Sequence, residues 1–389
     1  MGKELIYFCT HSYGGIKTQS INQVIALSKL GVKIHFICPK DWNDYILKKP
    51  SKMIYGLIPK KSEKIKNKFF NKIFIAYKIL YDHYFLFRYI GRSKINYVIF
   101  GSFSEILAPI WVPFFKLKIK NNVKFAVVPL DPIRDRIIGP NKWLHYKLVD
   151  LAYSIYSEIY LHSKVNLPIN KTSLKQRINI IEHGPLIYPE YPNGRAETRK
   201  QLGLNDNDRI LLSFGFIRDS KNINLIIKAL TYFNNLHLLI VGSEAPKGQI
   251  QSSEYKILAQ KLGLQNRVHW FVEFVEDFKV RKFFDASDYV ICAYWKNFVS
   301  ESGLPNITAP LKKPILVSCG DSALGDKVEK YSLGYRVGPD STEEIVKGIN
   351  YLLKDNLIGK WDKYLEDCTF EKNAEVVINS LFDNQDSIN

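Results

Sequence analysis

The sequence predicts an α/β protein of two Rossmann-like domains facing each other across a cleft. Three observations carry this. Short apolar runs alternate with helical periodicities from the N-terminus to residue 184; the alternation stops at IYPEYPNGR, residues 187–195; it then restarts and continues almost to the C-terminus. Strands that alternate with helices make open parallel sheets whose ligands sit beyond the carboxyl ends of the strands. A chain of 389 residues also exceeds one ordinary core, since domains run to about 100–200 residues each. The expected division is 1–188, 189–365 and a C-terminal helical segment, 366–389, placed to pack back on the first domain.

Taken in order, ELIYFC (4–9) reads as a strand, HSYGGI as a Gly-containing turn, KTQSINQVIALSKLG as a helix closed by Gly31, and VKIHFICP as a second strand. That is a βαβ unit. Further strands are expected at NYVIFGS (96–102), VKFAVVP (123–129), EIYLHS (158–163) and INIIEHG (178–184). After the Pro- and Gly-bearing linker, RILLSFGF, LHLLIVGS, RVHWFV, DYVICAY and KPILVS read as strands. NINLIIKALTYF, EYKILAQKLG and VRKFFDAS read as the helices between them, and TEEIVKGINYLLKD and EKNAEVVINSLF as amphipathic helices near the end.

Hydrophobic residues make up 46% of the chain, enough for two cores, and the formal charge is +17. Such a balance implies an anionic partner: nucleic acid, a phospholipid surface or phosphorylated small molecules. Cys9, Cys38, Cys292, Cys319 and Cys368 form no CxxC pair, which argues against a disulfide framework and a zinc site and for a reducing, cytoplasmic setting. The first apolar run is six residues, too short for a signal peptide or a membrane span, and no run of 18 occurs elsewhere, so membrane contact is expected to be peripheral.

Three stretches carry chemistry. In LLSFGFIRDSKNINLIIKAL (211–230), Gly215 lets the chain bend closely, and Arg218 and Lys221 stand three apart where a helix starts. Both can reach a phosphate there, or both are solvated loop charges; basic residues ahead of a helix oppose its dipole, which points to an anionic ligand. In NFVSESGLPN (297–306), small polar residues join a buried strand to a helix, where free N–H groups invite an anion. Gly14 and Gly15 stand between the first strand and helix, where two glycines either let backbone approach an anion or satisfy a turn, and Lys17 adds charge there.

FGFIRDSKNINLIIKAL resembles the F-G-x-I-R-x-x-K segment of GT-B glycosyltransferases in glycosyltransferase family 4. The neighbours agree. IEHGPLIYPEYPNGR is similar to that family's interdomain strand and linker, RVHWFVEFVEDFKVRKFFDASDYVICAYW to its next block, and SESGLPNITAPLKKPILVS to its Ser-Gly segment followed by an Ala-rich helix. The resemblance covers about residues 180–355.

It implies transfer of a hexose from a nucleotide sugar, UDP- or GDP-linked, with retention and without a cofactor or metal. The acceptor would be a lipid-linked or cell-envelope glycan. By the same resemblance, Ser302, Gly303 and Leu304 bind the donor diphosphate from one side and Arg218 and Lys221 from the other, while Gly14 and Gly15 face it. The family's two glutamates, eight apart, are only half matched: Glu301 is present near the sugar, whereas position 309 is alanine, and anchoring on Gly-Leu-Pro puts Thr308 at the second place. Glu301 also reads as a helix cap.

For the acceptor side, VVPLDPIRD offers Asp131 as a base, in a Pro-stiffened turn that is equally an Asx-turn. His11 ranks next, ahead of His162 and His183. Residues 60–92 hold nine Lys or Arg against two acids, with aromatic residues at helical spacing; this suits an anionic bilayer on the inner face of the membrane, and reads equally as a core helix with a basic outer face. A nicotinamide oxidoreductase fails because no GxGxxG follows the first strand. A nucleic-acid-binding protein finds its basic and aromatic interleaving only at 60–92, and an inactive glycosyltransferase-like subunit fits the altered glutamate pair.

Overall fold

A computed structural model describes the chain except for residues 1, 13, 43–46, 49, 60–67, 131, 133–140, 168, 170–175, 206, 245–248, 299–301, 355–356 and 383–389. It divides into two compact units, Met1–Gly184 with Cys368–Asn389, and Pro185–Asp367.

The first unit contains β1 (Glu4–Phe8), α1 (Gly15–Lys29), β2 (Lys33–Pro39), β3 (Lys52–Leu57), α2 (Lys68–Ser93), β4 (Tyr97–Phe100), α3 (Ala108–Ile119), β5 (Lys124–Val127), α4 (Lys142–Tyr153), β6 (Tyr156–Leu161) and β7 (Arg177–Ile180). Its sheet is parallel, in the order β3-β2-β1-β4-β5-β6-β7. The central strands are apolar throughout because helices cover both faces. On one face Phe8, Phe100, Phe125 and Tyr156 pack with Trp111 and Phe115 of α3 and with α2 and α4.

The second unit contains α5 (Gly194–Gln201), β8 (Arg209–Phe214), α6 (Ile223–Ala229), β9 (Leu236–Val241), α7 (Ser252–Lys261), β10 (Val268–Phe271), α8 (Asp277–Ala286), β11 (Tyr289–Ala293), α9 (Leu304–Thr308), β12 (Ile315–Ser318), α10 (Ala323–Lys330), β13 (Gly334–Val337), α11 (Thr342–Lys354) and α12 (Trp361–Asp367). Its parallel sheet runs β10-β9-β8-β11-β12-β13. In each sheet the strand order reverses once, between β1 and β4 and between β8 and β11. Connections leave those two strands in opposite directions, so a crevice opens at their carboxyl ends.

The chain then re-enters the first unit as α13 (Phe370–Phe382). A buried polar chain fixes it there. The Tyr7 hydroxyl donates to Gln23 Oε1 (2.6 Å), Gln23 Nε2 to Asn373 Oδ1 (2.7 Å), and Asn373 Nδ2 to the Glu182 carbonyl (2.7 Å). Every link is paired, so the network specifies register where an apolar contact would tolerate sliding. Asn373→Ala should strand the Gln23 amide and the Glu182 carbonyl at about 1–3 kcal/mol each. The measurement is a urea titration of the first unit's transition, where the midpoint should fall; an unchanged midpoint would show that the network contributes nothing.

Candidate active site

In the second unit the two loops at the sheet's reversal carry the residues that the sequence singles out. After β8 the chain turns at Gly215, whose φ is +98°. A side chain there would be strained, and its Cβ would lie 3.1 Å from Lys221 Nζ. Arg218 follows, half-buried, at the start of a short 3-10 helix, Asp219–Lys221, which leads into α6 through Asn222. Lys221 is 7% exposed, and its ammonium donates to the Phe214 carbonyl at 2.5 Å. Burial, and then the Arg218 charge beside it, lower the Lys221 pKa to about 7, against the opposing pull of Cys292.

After β11 the Trp295 amide donates to the Ser220 carbonyl (3.1 Å), joining this loop to the one after β8. Asp340 ties them again: Oδ1 accepts from Asn222 Nδ2 and Oδ2 from the Lys296 amide, both at 2.9 Å. The Ser302 hydroxyl lies 3.3 Å from the Tyr294 hydroxyl, and burial pushes the Cys292 thiol of β11 up to about 12. Gly215, Arg218, Lys221 and the Ser302-Gly303-Leu304 segment converge within one unit, at the reversal point.

The junction differs from its sequence reading in one respect. The helix it opens, α9, is only five residues and then tightens into a 3-10 turn, Ala309–Leu311. Ser302 Oγ itself accepts from the Leu304 amide (3.4 Å), so part of the expected free N–H capacity is already used. Thr308, aligned with the family's second glutamate, is buried, and its hydroxyl donates to the Pro305 carbonyl (3.3 Å).

In the first unit Gly14 has φ +81° and caps α1 through its carbonyl, which accepts from the Thr18 amide (3.2 Å). The first turn of α1 contains no acid and receives no side-chain cap, so its amide end keeps its positive character. A Cβ on Gly15 would meet open space. The His11 carbonyl accepts from Trp42 Nε1 (3.1 Å), and Lys17 Nζ sits 5.2 Å above the same indole. Asp131 and Glu301 lie outside the described residues.

Sequence reasoning did not single out the group at this unit's own reversal point. Lys78 Nζ donates to Asp82 Oδ2 (2.5 Å) and to the Thr10 carbonyl (3.4 Å), Asp82 Oδ1 accepts from the Ile58 amide (2.9 Å), and the Thr10 and Ser102 hydroxyls meet at 3.0 Å. Burial raises the Asp82 carboxyl against the pull of Lys78. The i, i+4 spacing of Lys78 and Asp82 on a helix was the available signal. His162 and His183 sit with structural partners, the Ile181 carbonyl (3.3 Å) and the Gly184 carbonyl (3.0 Å). Among the described residues no group of three or more metal-ligating side chains occurs, and no helix is long and apolar enough to cross a membrane.

Residues 194–369 match the family model for glycosyl transferases group 1. A comparison by sequence with curated proteins found no match. Among solved structures the chain is similar to a sucrose-phosphate synthase from Thermosynechococcus elongatus (TM-score 0.63, 16% identity, covering 98% of this chain and 95% of that one). It is likewise similar to WaaG, a glycosyltransferase involved in lipopolysaccharide biosynthesis (0.61, 15%, 97% and 99%). A third is Anabaena HepE, solved in complex with UDP-glucose (0.60, 13%, 97% and 95%). The chain has the GT-B fold of the glycosyltransferases over nearly its whole length.

Proposed function

We infer, for a chain that has the GT-B fold and whose second unit matches the glycosyl transferases group 1 model, that the protein moves a hexose from a nucleotide sugar to a glycan acceptor. The observation that carries this reading is the pair of cations after β8, Arg218 and buried Lys221, in a loop that the Trp295 amide joins to the loop leading to Ser302 at a sheet reversal. In transfer the acceptor oxygen bonds to the anomeric carbon, the sugar's bond to the diphosphate breaks, and negative charge builds on the departing nucleoside diphosphate. Preorganised cations and amides act on that charge. Arg218 offers a two-pronged guanidinium and Lys221 a point charge, and a phosphate-binding role is likewise proposed for Gly14 and Gly15 at the amide end of α1.

UDP is the favoured nucleotide, because HepE was solved with UDP-glucose and a trehalose-6-phosphate protein from E. coli with UDP-2-fluoro glucose. Glu301 would act near the transferred sugar and Asp131, or else His11, at the acceptor hydroxyl. Retention at the anomeric carbon follows from the family resemblance and is read by NMR of the product. The acceptor is a lipid-linked or cell-envelope glycan, met on the inner, cytoplasmic face of the membrane; the support is the lipopolysaccharide role of WaaG and the positive charge of this chain.

Thermal shift with UDP-, GDP-, ADP- and dTDP-sugars tests the reading, since a ligand at 100 times its Kd stabilises by about 2.7 kcal/mol. At least one donor should raise the midpoint. The cations also make a metal unnecessary, so transfer should survive EDTA; complete loss restored by magnesium or manganese would contradict this. The internally bonded Thr308 hydroxyl favours a second reading, a donor-binding subunit without transferase activity. That protein would show the thermal shift but release no sugar from any bound donor.

A further inference from the structure

The charge of this protein is divided unevenly. The first unit holds 31 Lys and Arg against 15 Asp and Glu, the second 24 against 23. Of the first unit's excess of 16 positive charges, seven lie on one helical layer. α2, α3 and α4 together carry nine Lys and Arg and two acids, Asp82 and Asp150, and Asp82 is buried against Lys78.

The outer side of that layer is also apolar. On α2, Phe69 is 67% exposed and Phe70 60%, and Ile73 and Tyr77 continue the same face. Residues i, i+3 and i+7 of a helix share one side. On α3, exposed Ile110, Phe114 and Leu117 stand at i, i+4 and i+7, again one side of the helix, and on α4 Trp143, 68% exposed, stands three before exposed Tyr146. These three helices are neighbours: His83 of α2 stacks on Trp111 of α3 at 4.6 Å, and Phe87 meets Phe114 at 5.9 Å. Because α3 rides beside this later part of α2, the first turns of α2, with Phe69 and Phe70, lie ahead of the stretch that α3 covers. Exposed Lys72, Lys116, Lys142 and Lys147 stand among the apolar side chains.

We propose that the outer face of α2, α3 and α4 docks on an anionic lipid bilayer, with Phe69, Phe70 and Ile73 entering the headgroup–acyl boundary and the lysines meeting lipid phosphates. The occupant follows from charge complementarity. A lone apolar stripe would suit another protein, but aromatic side chains interleaved with lysines that have no acidic partner among the described residues, on the unit that holds nearly all of the net charge, match the two components of an anionic membrane surface. The inference deepens the membrane-side reading of the acceptor and rests on it only for why docking is useful. It also alters the expectation from charge alone, which is binding that salt abolishes: apolar insertion keeps a residual attachment once charges are screened.

Co-sedimentation of the full chain with phosphatidylcholine vesicles, with and without phosphatidylglycerol, tests this without donor or acceptor. The wild type should bind the anionic vesicles, weaken as salt rises and retain a bound fraction at high salt. Phe69→Ser, Phe70→Ser and Ile73→Ser combined should lower partitioning by about tenfold or more, and Ile358→Ser, an exposed position of the second unit, should leave it unchanged. Donor binding, read by thermal shift in lipid-free buffer, should be the same for all, so loss of docking and failure of the donor-site reading are separable. Equal binding by the triple variant overturns the proposal. So does a lipid-free dimer, seen by sedimentation, that the same substitutions dissociate.

Discussion

Arg218→Ala should lower sugar transfer by about 10²–10³ at saturating donor, the usual cost of removing one preorganised contact to charge that develops in a transition state. Folding should be nearly unaffected, because Arg218 is a half-buried residue in a turn and the 3-10 helix it opens is held by backbone bonds, including Lys221 N to Arg218 O at 3.0 Å. Arg218→Lys should recover only part of the loss, since it restores charge without the bidentate fork. Lys221→Ala should be comparably slow. The double variant should lose less than the product of the single losses if both cations act on one phosphate pair. Steady-state kinetics at limiting and saturating donor separate these outcomes, and wild-type rates for Arg218→Ala would move the diphosphate elsewhere.

Donor affinity should depend on pH through Lys221. In the free protein this amine titrates near 7 because it is buried and faces Arg218. A bound diphosphate favours its charged form. Below pH 7 Lys221 is already protonated, so affinity should be flat; above it, binding must take up a proton. Affinity should then fall by up to about tenfold per pH unit until the raised pKa of the complex is reached. The diphosphate of a nucleotide sugar is fully ionised across this range, so the slope belongs to the protein. Calorimetry with UDP-sugar in buffers of different ionisation enthalpy reads both the slope and the proton uptake. Lys221→Met should bind weakly and without the slope; a wild-type profile that is flat from pH 6 to 9 would show that Lys221 does not meet the anion.

Strands buried on both faces were legible because such a strand is an unbroken apolar run: RILLSF and LHLLIV became β8 and β9 within two residues of their expected ends. Two of the four edge strands were not, although β7 and β10 were anticipated. β3, KMIYGL, and β13, GYRV, each pair on one side only and mix polar with apolar residues. Arg218 and Lys221 stood out because cations ahead of a helix lack a local electrostatic reason. The burial of Lys221 did not, since it depends on the Phe214 carbonyl and on Cys292 from another strand. Asp340 was invisible for a similar reason: its partners, Asn222 and Lys296, lie 118 and 44 residues away. The stripes on α3 and α4 have the spacing of core helices, and only the layer around them shows that their outer residues stay uncovered.

The most direct test of the central claim, that the second unit holds a nucleoside diphosphate through Arg218 and Lys221, is thermal shift with UDP, GDP, ADP and dTDP on the wild type and on Arg218→Ala/Lys221→Ala. At least one nucleotide should raise the wild-type midpoint, by the equivalent of about 2.7 kcal/mol at 100 times its Kd, and the double variant, folded to a similar midpoint without ligand, should show almost none of that rise. A double variant stabilised as much as the wild type, or a wild type that no nucleotide stabilises, would contradict the account.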